Sequence, residues 1–238
     1  MNYRFRPGWL GTLILLVCLV VFVRLGLWQQ HKAEAKQSLQ ATLDQRSHEQ
    51  PVELPARLDK REEWRYRRVT VRGTFESRYQ ILLDNQVENS VAGYHVLTPL
   101  RLENTDTVVL VNRGWLAAGP DRAKLPVADA LAGTQVLNGR VWLPPNKYFA
   151  LQAEPTAGDA WPTVWQNIDL QRFAGMVPFK VMPVIVRLDA DNPGGYLRNW
   201  PRPAERMEMH MSYAYQWYGF SIAAILIYLV MNVRKTES

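Results

Sequence analysis

The sequence predicts an α+β membrane protein in which N- and C-terminal transmembrane helices flank an antiparallel, β-rich, small barrel-like extracytoplasmic domain. Two uncharged apolar stretches, residues 8–23 and 213–233, stand alone in approaching membrane-spanning length. From Arg65 onward, short runs of alternating apolar residues follow one another between turn-forming residues. The basic excess gathers beside the two apolar stretches instead of spreading over the middle of the chain.

Length and charge set the frame for these elements. A chain of 238 residues allows one sizeable domain plus anchors. The formal net charge is +6, yet residues 33–211 hold 22 Lys and Arg against 21 Asp and Glu. Arg4, Arg6, Arg24 and Lys32 flank the first stretch, and Arg234 and Lys235 follow the second. A nucleic-acid-binding protein would cluster that charge on a domain face, so this class is excluded. The single cysteine, Cys18, lies inside the first apolar stretch. An internal disulfide is therefore ruled out, and with it thiol catalysis and thiolate metal sites.

The first anchor is read as residues 9–28, preceded by a cytoplasmic N-terminus at residues 1–8. Trp9 and Trp28 mark its two interfaces. Arg24 lies within a turn of the outer end, where it can snorkel to the headgroups. The stretch is long for a signal peptide and no A-x-A site follows it, so a retained anchor is expected. The second anchor is read as residues 212–233, with Tyr213, Tyr215, Trp217 and Tyr218 forming an aromatic belt, and residues 234–238 as a cytoplasmic tail. Basic residues tight against both outer flanks place both termini in the cytoplasm and residues 29–211 in the periplasm. With no room for a transit peptide before residue 8, a multi-pass protein of a bacterial inner membrane is expected.

Within the middle segment, HKAEAKQSLQATLDQR reads as a helical stalk ending near Pro51. YRRVTVRGTFES places Val69, Val71 and Phe75 on one face of a strand. QILLDN, YHVLTPLRL, DTVVLVNRGWLA, TQVLNGRVWLP and KVMPVIVRLD read as further strands. VENSVAG is read as a turn-rich connection, and a short helix is expected near residues 169–174.

Catalytic signatures are missing: no H-E-x-x-H, G-x-S-x-G, Walker loop or C-x-x-C occurs. No enzyme is expected. Of the four histidines, His48 reads as solvated in the stalk and His95 as a structural residue in a strand. His210 heads the second anchor. In a helix, His210, Tyr213, Ala214 and Trp217 share a face at i, i+3, i+4 and i+7, an arrangement suited to a flat macrocycle. Gly26, at matching depth in the first helix, would permit close approach. An interfacial histidine that only donates a hydrogen bond is the competing reading. The string MEMHM, with Met207, Met209 and Met211 around His210, offers soft ligands for a copper carrier. Neither strand nor helix geometry gathers all four.

Several stretches together resemble the Surfeit locus protein family of cytochrome c oxidase assembly factors. They are LGLWQ at 25–29, LLDNQ at 82–86, AGYHVLTPL at 92–100, VLVNRGWL at 109–116, GRVWLP at 139–144 and HMSYAYQWYGF at 210–220. They occur in the family's order from the first helix to the last. The resemblance implies a chaperone that binds haem a transiently and assists its insertion into oxidase subunit I. His210 is implied as the axial ligand of the haem iron, Trp217 as a neighbour of the macrocycle, and Arg113 as a partner for a propionate. The signature Asn112-Arg113-Gly114-Trp115 is expected to fix a turn. Subunit I is the implied partner, with haem A synthase a candidate second. A haem-free scaffold for subunit I is the alternative.

Overall fold

A computed structural model describes residues 2–121, 124–129, 131–144, 161–194, 196–202 and 207–236. The chain divides into two compact units, residues 1–42 with 201–238, and residues 43–200.

The first unit contains α3 (Met207–Asn232) and, antiparallel to it, all but the last five residues of α1 (Trp9–Ser47). Both are long and apolar enough to cross a bilayer by length and composition. The stalk expected after the anchor is the continuation of one helix. Between Gly26 and Ser47 the sequence has no Gly or Pro to interrupt the backbone ladder. At 39 residues α1 is nearly 60 Å long, about twice the hydrocarbon core. The exposed faces of both helices are large and apolar: Leu13, Leu16, Val20, Ile222, Leu226 and Val230 are all at least half exposed. The buried positions are small. Gly26 and Ala33 on α1 and Ala214 and Ser221 on α3 let the two backbones close, as packed membrane helices require.

Polar contacts mark the ends of the pair. Thr12 Oγ1 lies 2.6 Å from the Tyr228 hydroxyl, and Asn232 Oδ1 accepts from the Gly8 amide at 3.3 Å. Beyond them, strands β1 (Asn2–Phe5) and β10 (Val233–Thr236) pair antiparallel.

The second unit is built on β3 (Arg68–Phe75), β5 (Val91–Leu102), β6 (Thr107–Ala117), β7 (Thr134–Trp142) and β9 (Lys180–Leu188). Their order, β3-β7-β9-β6-β5, closes on itself because Gly73, Thr74 and Phe75 of β3 pair with Leu102, Arg101 and Leu100 of β5. The result is a closed five-stranded barrel. All neighbours are antiparallel except β6 and β9. Two-residue strands β2 (Val52–Glu53) and β8 (Val164–Trp165) and the strand β4 (Ile81–Glu88) extend the sheet.

Period-2 alternation fills the interior with Val69, Val71, Leu100, Val109, Val111, Leu137, Val141, Val184, Val186 and Leu188, each fully buried. A second cluster lies on the outer face. There α2 (Leu170–Met176) brings Phe173 against Ile81, Leu97, Leu110, Trp165 and Ile185. Asp169 caps α2 by accepting from the amides of Gln171 and Arg172 at 2.9 and 3.0 Å.

The structure differs from the expected connection at VENSVAG. Strands β4 and β5 run to Glu88 and from Val91, leaving a turn of Asn89 and Ser90 alone, both at positive φ. That is the backbone twist of a tight hairpin, which shrinks the loop to two residues.

Candidate functional site

The helix pair carries the polar cluster that the sequence pointed to. His210 stands in the first turn of α3, half-buried. Its Nδ1 lies 2.8 Å from Gln29 Oε1 on α1. An amide oxygen only accepts, so the ring nitrogen facing it donates. Of the two tautomers the ring can adopt, this contact selects the one with the proton on Nδ1, in which Nε2 carries the lone pair. That is the state a metal-ligating histidine needs, with its second ring nitrogen tied to a carbonyl. Gln29 was not singled out in the sequence. The signal was present: Gln29 ends the LGLWQ stretch, among apolar residues at the helix exit.

Ala214, one turn below His210, is 1% exposed and leaves no side chain in the seam. Trp217, two turns below, packs on Phe22 of α1 at 5.9 Å between centroids and on Phe220 at 5.7 Å. Gly26 permits the close approach expected of it, and the group that approaches is a side chain of α3. The Tyr218 ring fills that place: a Cβ on Gly26 would overlap Tyr218 Cε1 and come within 2.9 Å of Cδ1. Tyr218 is fixed there because its hydroxyl donates to Gln30 Oε1 at 3.1 Å. The seam at this depth is packed.

Other side chains near this end of the helices that could ligate a metal lie apart from the contact. His31 is exposed and two residues, or about 200°, around the helix from Gln29. Met209 is 42% exposed, and the side chain of Met207 lies outside the described residues. Among the described residues, no group of three or more His, Cys, Asp or Glu converges for a metal.

Arg113 belongs to the barrel unit and is 1% exposed. The signature around it does not form the expected turn. Asn112 to Trp115 lie inside β6, where the register slips against β5 between Val96 and Leu97. Gly114 takes φ +127° at this bulge, the conformation that breaks regular pairing. The Arg113 guanidinium sits 4.9 Å from the Tyr196 ring and 5.3 Å from that of Phe75. Nη1 donates to Gln80 Oε1 at 3.3 Å, while Nη2 and the Tyr196 hydroxyl are buried without partners. Burial pushes its pKa below the ordinary arginine value, against the opposing pull of Tyr196 and Asp129.

The motif strands meet in space. Trp115 Nε1 donates to the Gln86 carbonyl at 3.2 Å, and a Cβ on Gly93 would reach 2.5 Å from the Trp115 ring. Arg198, which sequence reasoning missed, donates to the Arg113 carbonyl at 2.7 Å and to four carbonyls of residues 189–193. His95 packs edge-on against Trp200 at 5.4 Å.

Two terminal membrane-type helices joined by a histidine–amide contact, with a closed five-stranded barrel between them in sequence, define a two-anchor barrel protein. The chain belongs to the SURF1 family, whose profile matches residues 16–222. It is 26% identical to a SURF1-like protein of Monosiga brevicollis over 239 residues, covering 95% of this chain and 89% of the relative. It is 26% identical to Surfeit locus protein 1 of Mus musculus over 227 residues, covering 89% and 72%. A 29% identity over 174 residues links it to the cytochrome oxidase assembly protein SHY1 of Saccharomyces cerevisiae, covering 68% and 43%.

Proposed function

We propose that this protein assists the assembly of haem–copper cytochrome c oxidase by holding haem a at His210 until it enters subunit I. Family membership and the name of the yeast relative support the assembly role. The observation that supports the haem reading is the Gln29–His210 contact, which engages Nδ1 and leaves Nε2 as the ring nitrogen that could serve as an axial ligand. The donor set fits a haem iron with one protein ligand. The space between the helices does not fit a macrocycle, because Tyr218 occupies it. A porphyrin held by His210 would have to approach from outside the seam, where Trp217 would be its aromatic neighbour. Arg113, the propionate partner that the resemblance implies, is enclosed by Tyr196 and Phe75 within the barrel unit. The haem is cargo, and the protein performs no turnover.

In this reading Arg4, Arg6, Arg234 and Lys235 hold both termini in the cytoplasm and the barrel domain in the periplasm of a bacterial inner membrane. Subunit I receives the haem, and haem A synthase is the class of partner that supplies it. Purification from cells that make haem a should yield a haem spectrum that His210→Ala removes. Full retention of haem in that variant would sink the ligand assignment.

The packed seam favours a second reading, a haem-free scaffold for subunit I. Co-purification of subunit I with protein that carries no haem, in cells rich in haem a, would select it.

A further inference from the structure

A row of three arginines crosses the outer face of the barrel. Arg68 on β3 stands directly opposite Arg140 on β7, and Arg140 directly opposite Arg187 on β9. Facing positions on antiparallel neighbours share one side of the sheet with Cβ atoms about 5 Å apart, and like charges there repel. Asp189 is the one described carboxylate in salt-bridge range of the row, 3.7 Å from Arg68 and 4.0 Å from Arg140. Those distances are too long for hydrogen bonds. The Nε atoms of Arg68, Arg140 and Arg187 are all buried without an acceptor.

Aromatic rings wall the inner end of the row. The Arg187 guanidinium lies 4.1 Å from the Trp142 ring centroid and 5.2 Å from that of Trp200. Burial there lowers the Arg187 pKa to about 10, opposed by Tyr66. His95, edge-on to Trp200, is pushed down to about 4 by burial first and Arg187 second, so at neutral pH it adds no charge. Tyr66 itself is held at φ +62°, a conformation that non-glycine residues adopt at a cost. The outer end is open: the Arg68 and Arg140 side chains are 31% and 35% exposed.

We propose that this row is an oxyanion site for a phosphate-class dianion, supplied either by free phosphate or by a phosphomonoester lipid headgroup. Buried N–H groups on a cation are expensive to leave unpaired, and an incoming acceptor would satisfy them. The guanidinium fork matches the spacing of phosphate oxygens. Three guanidiniums against one carboxylate leave two positive charges, which a phosphate neutralises and a single carboxylate would halve.

The test uses the full-length protein in phosphatidylcholine nanodiscs, with inorganic phosphate compared with chloride at equal ionic strength. At a hundredfold excess over Kd, phosphate should raise the unfolding temperature by roughly 5–10 °C. The Arg140→Gln, Arg187→Gln double variant should lose that rise. Arg72→Gln, which removes an exposed pair with Glu103 outside the row, should keep it. If the double variant does not fold, Arg68→Gln at the open end should weaken phosphate binding about tenfold. A rise in nanodiscs containing phosphatidic acid without added phosphate, lost in the same variants, assigns the headgroup as the source. A rise with soluble phosphate alone assigns the free anion. Equal stabilisation by chloride or acetate, or an effect that survives the substitutions, overturns the site.

Discussion

His210 Nδ1 and Gln29 Oε1 stand 2.8 Å apart and join α3 to α1. The contact does two things at once: it ties the helices and selects the tautomer whose Nε2 is free. The two roles separate experimentally. Gln29→Leu removes the acceptor and puts a slightly shorter apolar side chain in its place. If Gln29 orients an axial ligand, haem affinity falls about 10- to 100-fold while the protein stays folded. Titration of purified protein with haem, read in the Soret band, measures it. Unchanged affinity in a folded Gln29→Leu protein would reduce the contact to a helix tie.

Gly26 makes the helix pair sensitive to a single methyl group. The Cβ of Gly26→Ala would overlap the Tyr218 ring, which is anchored at its hydroxyl by Gln30. Relief requires the ring to swing out and break that bond. Overpacking of this kind costs about 1–3 kcal/mol. Thermal unfolding of Gly26→Ala in detergent should show the loss, and Tyr218→Ala in the same chain should recover part of it. A Gly26→Ala protein as stable as wild type would mean the helices are not packed at this depth.

The sequence made these anchors legible because an uncharged stretch of about 20 residues has few alternatives to a membrane helix. Strands β3, β6, β7 and β9 were legible from Val and Leu at alternating positions. A small barrel was expected from the strand pattern, but the pair of strands that closes it was not legible, since the pairing of Gly73 with Leu102 joins residues that no local pattern connects. The site divided in the same way. His210 stood out by position, but its partner Gln29 lies 181 residues away. Arg113 was expected as a propionate partner, but its burial between Phe75 and Tyr196 depends on the strand bulge at Gly114 and was not legible, since arginine is seldom enclosed. The row at Arg68, Arg140 and Arg187 was invisible for want of a strand register.

Gly114 is the backbone position on which that enclosure depends. Its φ of +127° disfavours any L side chain, and a Cβ would stand 2.7 Å from Tyr196 Cβ and 2.8 Å from the Leu197 carbonyl. The neighbouring pairing of the Trp115 amide with that carbonyl at 2.7 Å prevents an easy retreat. Gly114→Ala should therefore destabilise the barrel unit by about 2–4 kcal/mol, combining backbone strain with a clash against main chain. Chemical denaturation followed by tryptophan fluorescence reads this directly. A loss under about 1 kcal/mol would show that residues 196–198 move aside freely.

His95 gives the barrel unit an acid-labile component. Burial beside Trp200 and, secondarily, Arg187 lowers its pKa from 6.5 to about 4. As pH falls, the unfolded chain takes up this proton before the folded chain does, so stability declines with pH. The contribution is complete above about pH 6.5 and disappears progressively as pH approaches 4. The shift corresponds to about 2–3 kcal/mol after allowing for partial exposure of the ring. Carboxylates titrate over the lower part of the same range, so the variant comparison must isolate the histidine. His95→Phe retains an aromatic ring against Trp200 and removes the titration. Its stability should fall less steeply than wild type between pH 6.5 and 4, and the two curves should run parallel above pH 7. Parallel curves throughout would place the acid lability on other groups and leave His95 solvated enough to keep an ordinary pKa.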